Sequence, residues 1–153
     1  MILKYIINVS KLIFFIKIFL ILSLPANSEL SVEEIIKGRK ALFSKNYSTA
    51  KRVQTFANEG EFDKAKSLML EMSENYKTLK EMFPDNSKEG FKTEVLPLVW
   101  EEKDKFNSLM EKSSDEMIEL ASVIESVDNI GGILKKLMWG NCKACHSKYR
   151  EEH

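Results

Sequence analysis

Between residues 62 and 83, apolar side chains recur at Phe62, Ala65, Met69, Met72, Tyr76, Leu79 and Phe83. The steps of three and four alternate strictly, which marks one face of an α-helix rather than a strand. Pro84 is expected to stop that helix, and residues 85–90 read as a loop. Upstream, Ser31 with Glu34 three residues on forms a capping box. Ile35, Leu42, Val53 and Phe56 then mark an inner face, and Asn58-Glu59-Gly60 reads as the end of a first helix. A third helix is predicted from residue 91 or 93 to 123, with Val99, Phe106, Met110, Met117, Leu120 and Ile124 facing inward and Pro97 near its start. A fourth follows Ser126-Val127-Asp128, with Ile130, Leu134, Leu137, Met138, Cys145 and Tyr149 on one stripe. Gly131-Gly132 weakens its first turn, and Gly140 costs about 1 kcal/mol relative to Ala in a helix interior. Four helices with short connections predict an all-α, antiparallel up-down-up-down four-helix bundle in which the apolar stripes form the core.

Residues 1–28 differ from the rest. They hold Lys4, Lys11 and Lys17 but no acid, then an apolar run from Ile18 to Leu24 broken only by Ser23, then Pro25 and the small-x-small triplet Ala26-Asn27-Ser28. A basic start, an apolar middle and a small-residue end describe a secretory signal peptide cut near Ser28. Lys17 interrupts the apolar run, and an uncleaved anchor is the competing reading. The run is short for a membrane span, so no stable span is expected after cleavage. Residues 29–153 then form one domain. Three lysines leave with the signal, so 23 basic residues fall to 20 against 23 acidic. This mildly acidic domain has no basic stripe with interleaved aromatics, which argues against nucleic acid. Export places the domain in the periplasm.

The chain has two cysteines and two histidines, and three of these four residues sit within GNCKACHSKYR as Cys142, Cys145 and His146. In an oxidising compartment a cysteine pair usually means a disulfide. A bridge here would strain the last helix and leave His146 without a role. A thioredoxin-like CxxC belongs in a βαβ setting, and no strand pattern is present. A zinc site wants four ligands, and His153 is a strained fourth. On a helix, positions i, i+3 and i+4 share a face. Two thiols there can each add to a vinyl group of a porphyrin while the adjacent imidazole reaches the iron. CxxCH is the attachment sequence of c-type haem, with His146 the metal ligand. One covalent haem c, held through Cys142 and Cys145, is therefore expected.

CxxCH on the last helix of a four-helix bundle resembles the cytochrome c′ family. Supporting pieces are CKACHSKYR at the end, Arg39-x-x-x-Phe43 in the first helix, Phe83-Pro84 after the second, and Pro97-x-x-Trp100 with Phe106 six residues later. The resemblance covers essentially the whole mature chain. It implies that Phe43 faces the iron from the distal side, where relatives often carry Met or Leu. Phenylalanine has no lone pair, so a five-coordinate, high-spin iron bound only by His146 is implied. A bulky apolar distal face supplies no hydrogen-bond donor, which implies selection for NO and CO over O₂.

The resemblance also implies that Arg39 reaches a haem propionate, where a guanidinium fork suits a carboxylate. Lys40 would share the exposed haem edge, Thr93 and Glu94 would line it on entering the third helix, and Trp100 and Phe106 would pack on the ring. Arg150, four residues after His146 and hence on its helical face, would tune the proximal side. Trp139 replaces a residue that is small in relatives and is expected at a partner subunit or the haem edge. A homodimer through the first two helices is implied by the family alone.

Two other readings stand beside gas binding. A low-spin His–Met electron carrier would draw on Met69, Met72, Met110 or Met117. A peroxidase would need a distal acid or histidine for general acid–base work, and none is apparent, so an enzyme is not expected. The expected partners are diatomic gases and an unspecified redox protein.

Overall fold

The computed structural model describes residues 30–152; the predicted signal over residues 1–28 and His153 lie outside the described residues. Helix α1 spans Val32–Asn58 and opens on the expected capping box. Ser31 N–H donates to Glu34 Oε2 at 2.8 Å, and Glu34 N–H donates back to Ser31 Oγ at 3.3 Å. α1 ends before Gly60, whose φ of 76° suits glycine. Its inner face is shifted from the predicted one. Ile36 is fully buried and Ile35 only partly, while Arg39, Asn46 and Thr49 join Ala50, Val53 and Ala57 inside. Polar residues on an inner face confuse a stripe read from hydrophobicity alone.

Helix α2 spans Phe62–Lys80 and buries Ala65, Met69, Met72, Tyr76 and Leu79. It closes at Lys80, four residues before Pro84, rather than at the proline. The carbonyls that follow are taken up by side chains instead of the next helical turn. Arg39 donates to Met82 O (3.3 Å), Trp100 to Phe83 O (3.1 Å) and Pro84 O (3.2 Å), and Lys103 to Phe83 O (3.0 Å). Phe83 thus leaves the helix yet stays buried.

The predicted start of the third helix at residue 91 or 93 is too early. Phe91 and Lys92 follow Gly90 with φ of 49° and 55°, a left-handed turn unusual for side chains. Pro97 disfavours helix at the residue before it. Helix α3 covers only Leu98–Glu101, and α4 covers Lys103–Val123 after a break at Glu102. The six inward residues predicted for this region are all buried.

The last helix begins at Ile130, capped by Asn129, whose Oδ1 accepts from Gly132 N–H at 2.8 Å. It runs as α5 (Ile130–Leu134), a π-helical turn (Lys135–Trp139) and α6 (Gly140–Tyr149). The wide turn explains Gly140. Its N–H donates to Lys135 O, and a Cβ there would lie 3.2 Å from that oxygen.

α1 packs on α2, α2 on α4, α4 on the π turn and α6, and α5 closes back on α1. The all-α bundle is the predicted one, and the described residues contain no strand longer than a single bridge. That antiparallel bridge joins Val95 to Arg150, with Leu96 N–H on Tyr149 O (3.0 Å) and Glu151 N–H on Glu94 O (2.9 Å). Methionines and leucines fill the core, each worth about 1.5–3 kcal/mol on burial. A buried Ser73–Ser114 hydrogen bond of 2.8 Å links α2 to α4.

Candidate functional site

The half of the bundle away from the α1–α2 turn is hollow. A cavity of about 610 Å³ lies between the first half of α1, the end of α2, the first half of α4 and α6. That volume falls in the roughly 300–1,000 Å³ range of small-molecule and cofactor pockets. Phe83, Val99, Phe106, Met110 and Tyr149 give it an apolar wall.

α6 brings Cys142, Cys145 and His146 to this cavity together, as their spacing predicts. The two thiols are not bridged, which removes the disulfide reading. Burial pushes the Cys145 thiol up to about 12 and raises Cys142 as well, so both stay protonated at neutral pH. Tyr76 OH sits 3.9 Å from Cys142 Sγ. The His146 imidazole opens onto the cavity. Burial and Arg150 hold its pKa below the ordinary value, against the pull of Glu94, which keeps a nitrogen lone pair available. Among the described residues, no group of three or more His, Cys, Asp or Glu is arranged to hold a metal by itself. His153, the fourth ligand considered for zinc, lies outside the described residues.

Across the cavity from His146 stands Phe43. Their ring centroids are 6.4 Å apart and the planes 67° from parallel. Phe43 also packs edge-on against Phe83.

Arg39 is 1% exposed, a buried charge on the inner face of α1. It donates to Met82 O, Ser87 Oγ (3.0 Å), Ser87 O (3.0 Å) and Thr93 Oγ1 (2.8 Å). All four acceptors are uncharged, and burial lowers the guanidinium pKa from 12.5 to about 10. Its Nε is buried without a partner while the side chain borders the cavity. Lys40 Nζ donates to Lys92 O at 2.7 Å. Thr93 and Glu94 line the cavity from the loop before α3 rather than from a helix.

Two placements differ from expectation. Trp100 does not line the cavity but stands behind Phe83, with ring centroids 6.0 Å apart and its indole N–H on the α2 exit carbonyls. Arg150 is not on the helical face of His146. It lies past the end of α6 in extended backbone (φ −126°, ψ 147°), and the Val95 bridge returns it to the cavity edge beside Glu94, 3.5 Å away. Trp139 borders the cavity, donates to Gln54 Oε1 at 3.0 Å and packs on Tyr47. Asn46, Tyr76, Asn141 and Tyr149 also line the wall and were not singled out from sequence as site residues. An apolar or aromatic wall residue has the same helical spacing as core, so only a buried Asn carries a warning.

The residues present fit a haem. Two unbridged thiols and an imidazole share one wall, an aromatic plug faces them, and a buried guanidinium keeps one donor unspent at the edge. Such a bundle defines a c-type haem protein. Residues 34–150 match the family described as Cytochrome C′, and the chain belongs to that family; cytochrome c′ is itself a named instance of the up-down-up-down bundle. The chain is 34% identical over 125 residues to the cytochrome c′ of Rhodopseudomonas palustris, covering 76% of this chain and 82% of the relative. The crystal structure of cytochrome c′ from Thermochromatium tepidum superposes with a TM-score of 0.70 at 19% identity, over 82% of this chain and 100% of that one. A nitric oxide complex of a mutant cytochrome c prime from Alcaligenes xylosoxidans superposes at 0.69 and 16% identity, over 82% and 100%. The protein is a haem protein of the cytochrome c′ family, and its cofactor is haem c.

Proposed function

We propose that this protein is an exported, periplasmic haem protein with five-coordinate, high-spin iron that binds NO and CO and passes single electrons to a redox partner. The observation that carries this reading is the Phe43 ring facing the His146 ring across the cavity at 6.4 Å. Haem supplies an iron whose sixth position accepts a diatomic ligand. Cys142 and Cys145 would hold the cofactor covalently, and His146 would supply the nitrogen that binds its iron. Phe43 occupies the opposite side with bulk and no lone pair, which excludes a protein ligand and crowds water. Arg39 offers its spare Nε to a propionate, with Lys40 near the same edge. Phe106 and Trp139 line the cavity and would pack against the ring. Glu94 and Arg150, with Thr93 nearby, set the charge at the open edge. The nitric oxide complex of the Alcaligenes xylosoxidans relative supports the choice of ligand.

Met110 is the one methionine among the cavity-lining residues; Met69, Met72 and Met117 pack in the core. A His–Met carrier would have to draw on Met110, whereas Phe43 is the residue opposed to His146. Catalysis of the peroxidase kind is not part of this reading. Glu94 is the one acid on the cavity wall, and it pairs with Arg150 beside His146. No helix among the described residues is long and apolar enough to cross a membrane. A homodimer through α1 and α2, which expose Tyr47 and Leu70, completes the proposal.

Phe43→Met is the test. A thioether placed opposite His146 ligates the iron, and the ferric optical spectrum converts from high-spin to low-spin. An unchanged spectrum means that another residue faces the iron.

A further inference from the structure

Asn46 lies one helical turn beyond Phe43 on α1, is 4% exposed and borders the same cavity. Its Oδ1 accepts from Asn75 Nδ2 at 2.8 Å, which fixes the amide on one side. Its Nδ2 is buried and has no partner. An unpaired buried donor is penalised by its full desolvation, and Asn is a poor helix-interior residue. A core role would be served better by Leu or Met. The wall's other buried amide, Asn141, donates to Leu137 O at 2.8 Å and to Glu116, and Ser113 donates to Leu109 O. The spare donor of Asn46 is therefore singular among the wall's amides.

We propose that Asn46 is a distal hydrogen-bond donor, held in place by Asn75, whose amide donates to a diatomic ligand beside Phe43. This rests on the five-coordinate, gas-binding reading above and changes one part of it. The distal side combines an aromatic plug with a polar corner, so selection against O₂ falls to the bulk of Phe43 and not to the absence of a donor. Asn75 acts as a positioning residue, since losing its bond lets the Asn46 amide rotate.

The test compares the ferrous CO complexes of the wild-type holoprotein and N46L by infrared spectroscopy in H₂O and D₂O. A donated hydrogen bond lowers the C–O stretch and makes it sensitive to deuterium. The expected result is a stretch at higher wavenumber in N46L, with loss of the wild-type D₂O shift, and CO escape roughly fivefold faster, the size of one ordinary hydrogen bond. A stretch that does not move in N46L, or a D₂O shift that survives there, overturns the donor role alone. Wild-type protein that takes up no CO overturns both the gas-binding reading and this one. If N46L fails to retain haem, the wild-type comparison decides, and the absence of a D₂O shift overturns the proposal.

Discussion

Replacing Arg39 by Met should destabilise the folded protein by about 3 kcal/mol. Burying the guanidinium works against folding, and the fall of its pKa from 12.5 to about 10 is worth about 3 kcal/mol. Its four hydrogen bonds work the other way. Bonds from a charged donor contribute about 1.5 kcal/mol each at the low end, so together about 6. The net is about 3 kcal/mol in favour of the native arginine. Methionine fills much of the same volume but leaves the carbonyls of Met82 and Ser87 without this donor. It also gives up the stacking of the guanidinium on Phe83, 4.7 Å from the ring centroid. Denaturant unfolding of the haem-loaded protein at neutral pH, followed by far-UV circular dichroism, measures the change. Arg39→Lys should recover only part of it, because one ammonium cannot span acceptors on residues 82, 87 and 93. A loss under about 1 kcal/mol in Arg39→Met, or full stability in Arg39→Lys, would refute the view that this fork staples the α2–α3 connection to α1.

Single variants Cys142→Ser and Cys145→Ser should each keep haem attached through the remaining thiol, and the double variant should release it under denaturing conditions, read by mass spectrometry. Retention of covalent haem by the double variant would contradict the attachment. Glu102 accepts from Lys105 at 2.8 Å and also pairs with Lys148, and these contacts hold its pKa down from the ordinary 4.5 to about 2. A carboxyl with a depressed folded pKa stabilises above its unfolded value and loses that contribution as pH falls. The stability gap between wild type and Glu102→Gln should be constant near neutrality and close between pH 4.5 and about 2. A gap that stays flat through that window in urea melts would show the pairs to be idle.

The second helix was legible because Ala65, Met69, Met72, Tyr76 and Leu79 form an unbroken seam of alternating three- and four-residue steps, which Leu68 and Leu70 beside Met69 do not obscure. The first helix was legible in extent through its cap and Gly60, but its register slipped from Ile36 to Ile35. The cause is that Arg39, Asn46 and Thr49 face inward, two of them against the cavity. The start of the third helix was misread because left-handed backbone at Phe91 and Lys92 leaves no mark in hydropathy. Within the site, Cys142, Cys145 and His146 were readable from spacing alone, since all three lie on one short helix. Arg150 was not, because its place depends on the bridge to Val95. Trp100 sits one layer behind the wall, a distinction that helical periodicity does not carry.

The gas-binding role proposed for this protein requires that Phe43, which offers no ligand atom, stand opposite His146. The electron paramagnetic resonance spectrum of the purified ferric holoprotein reads the outcome at the iron. A high-spin signal from iron with one protein ligand is expected. A low-spin signal, accompanied by a methionine-to-iron charge-transfer band in the optical spectrum, would contradict it.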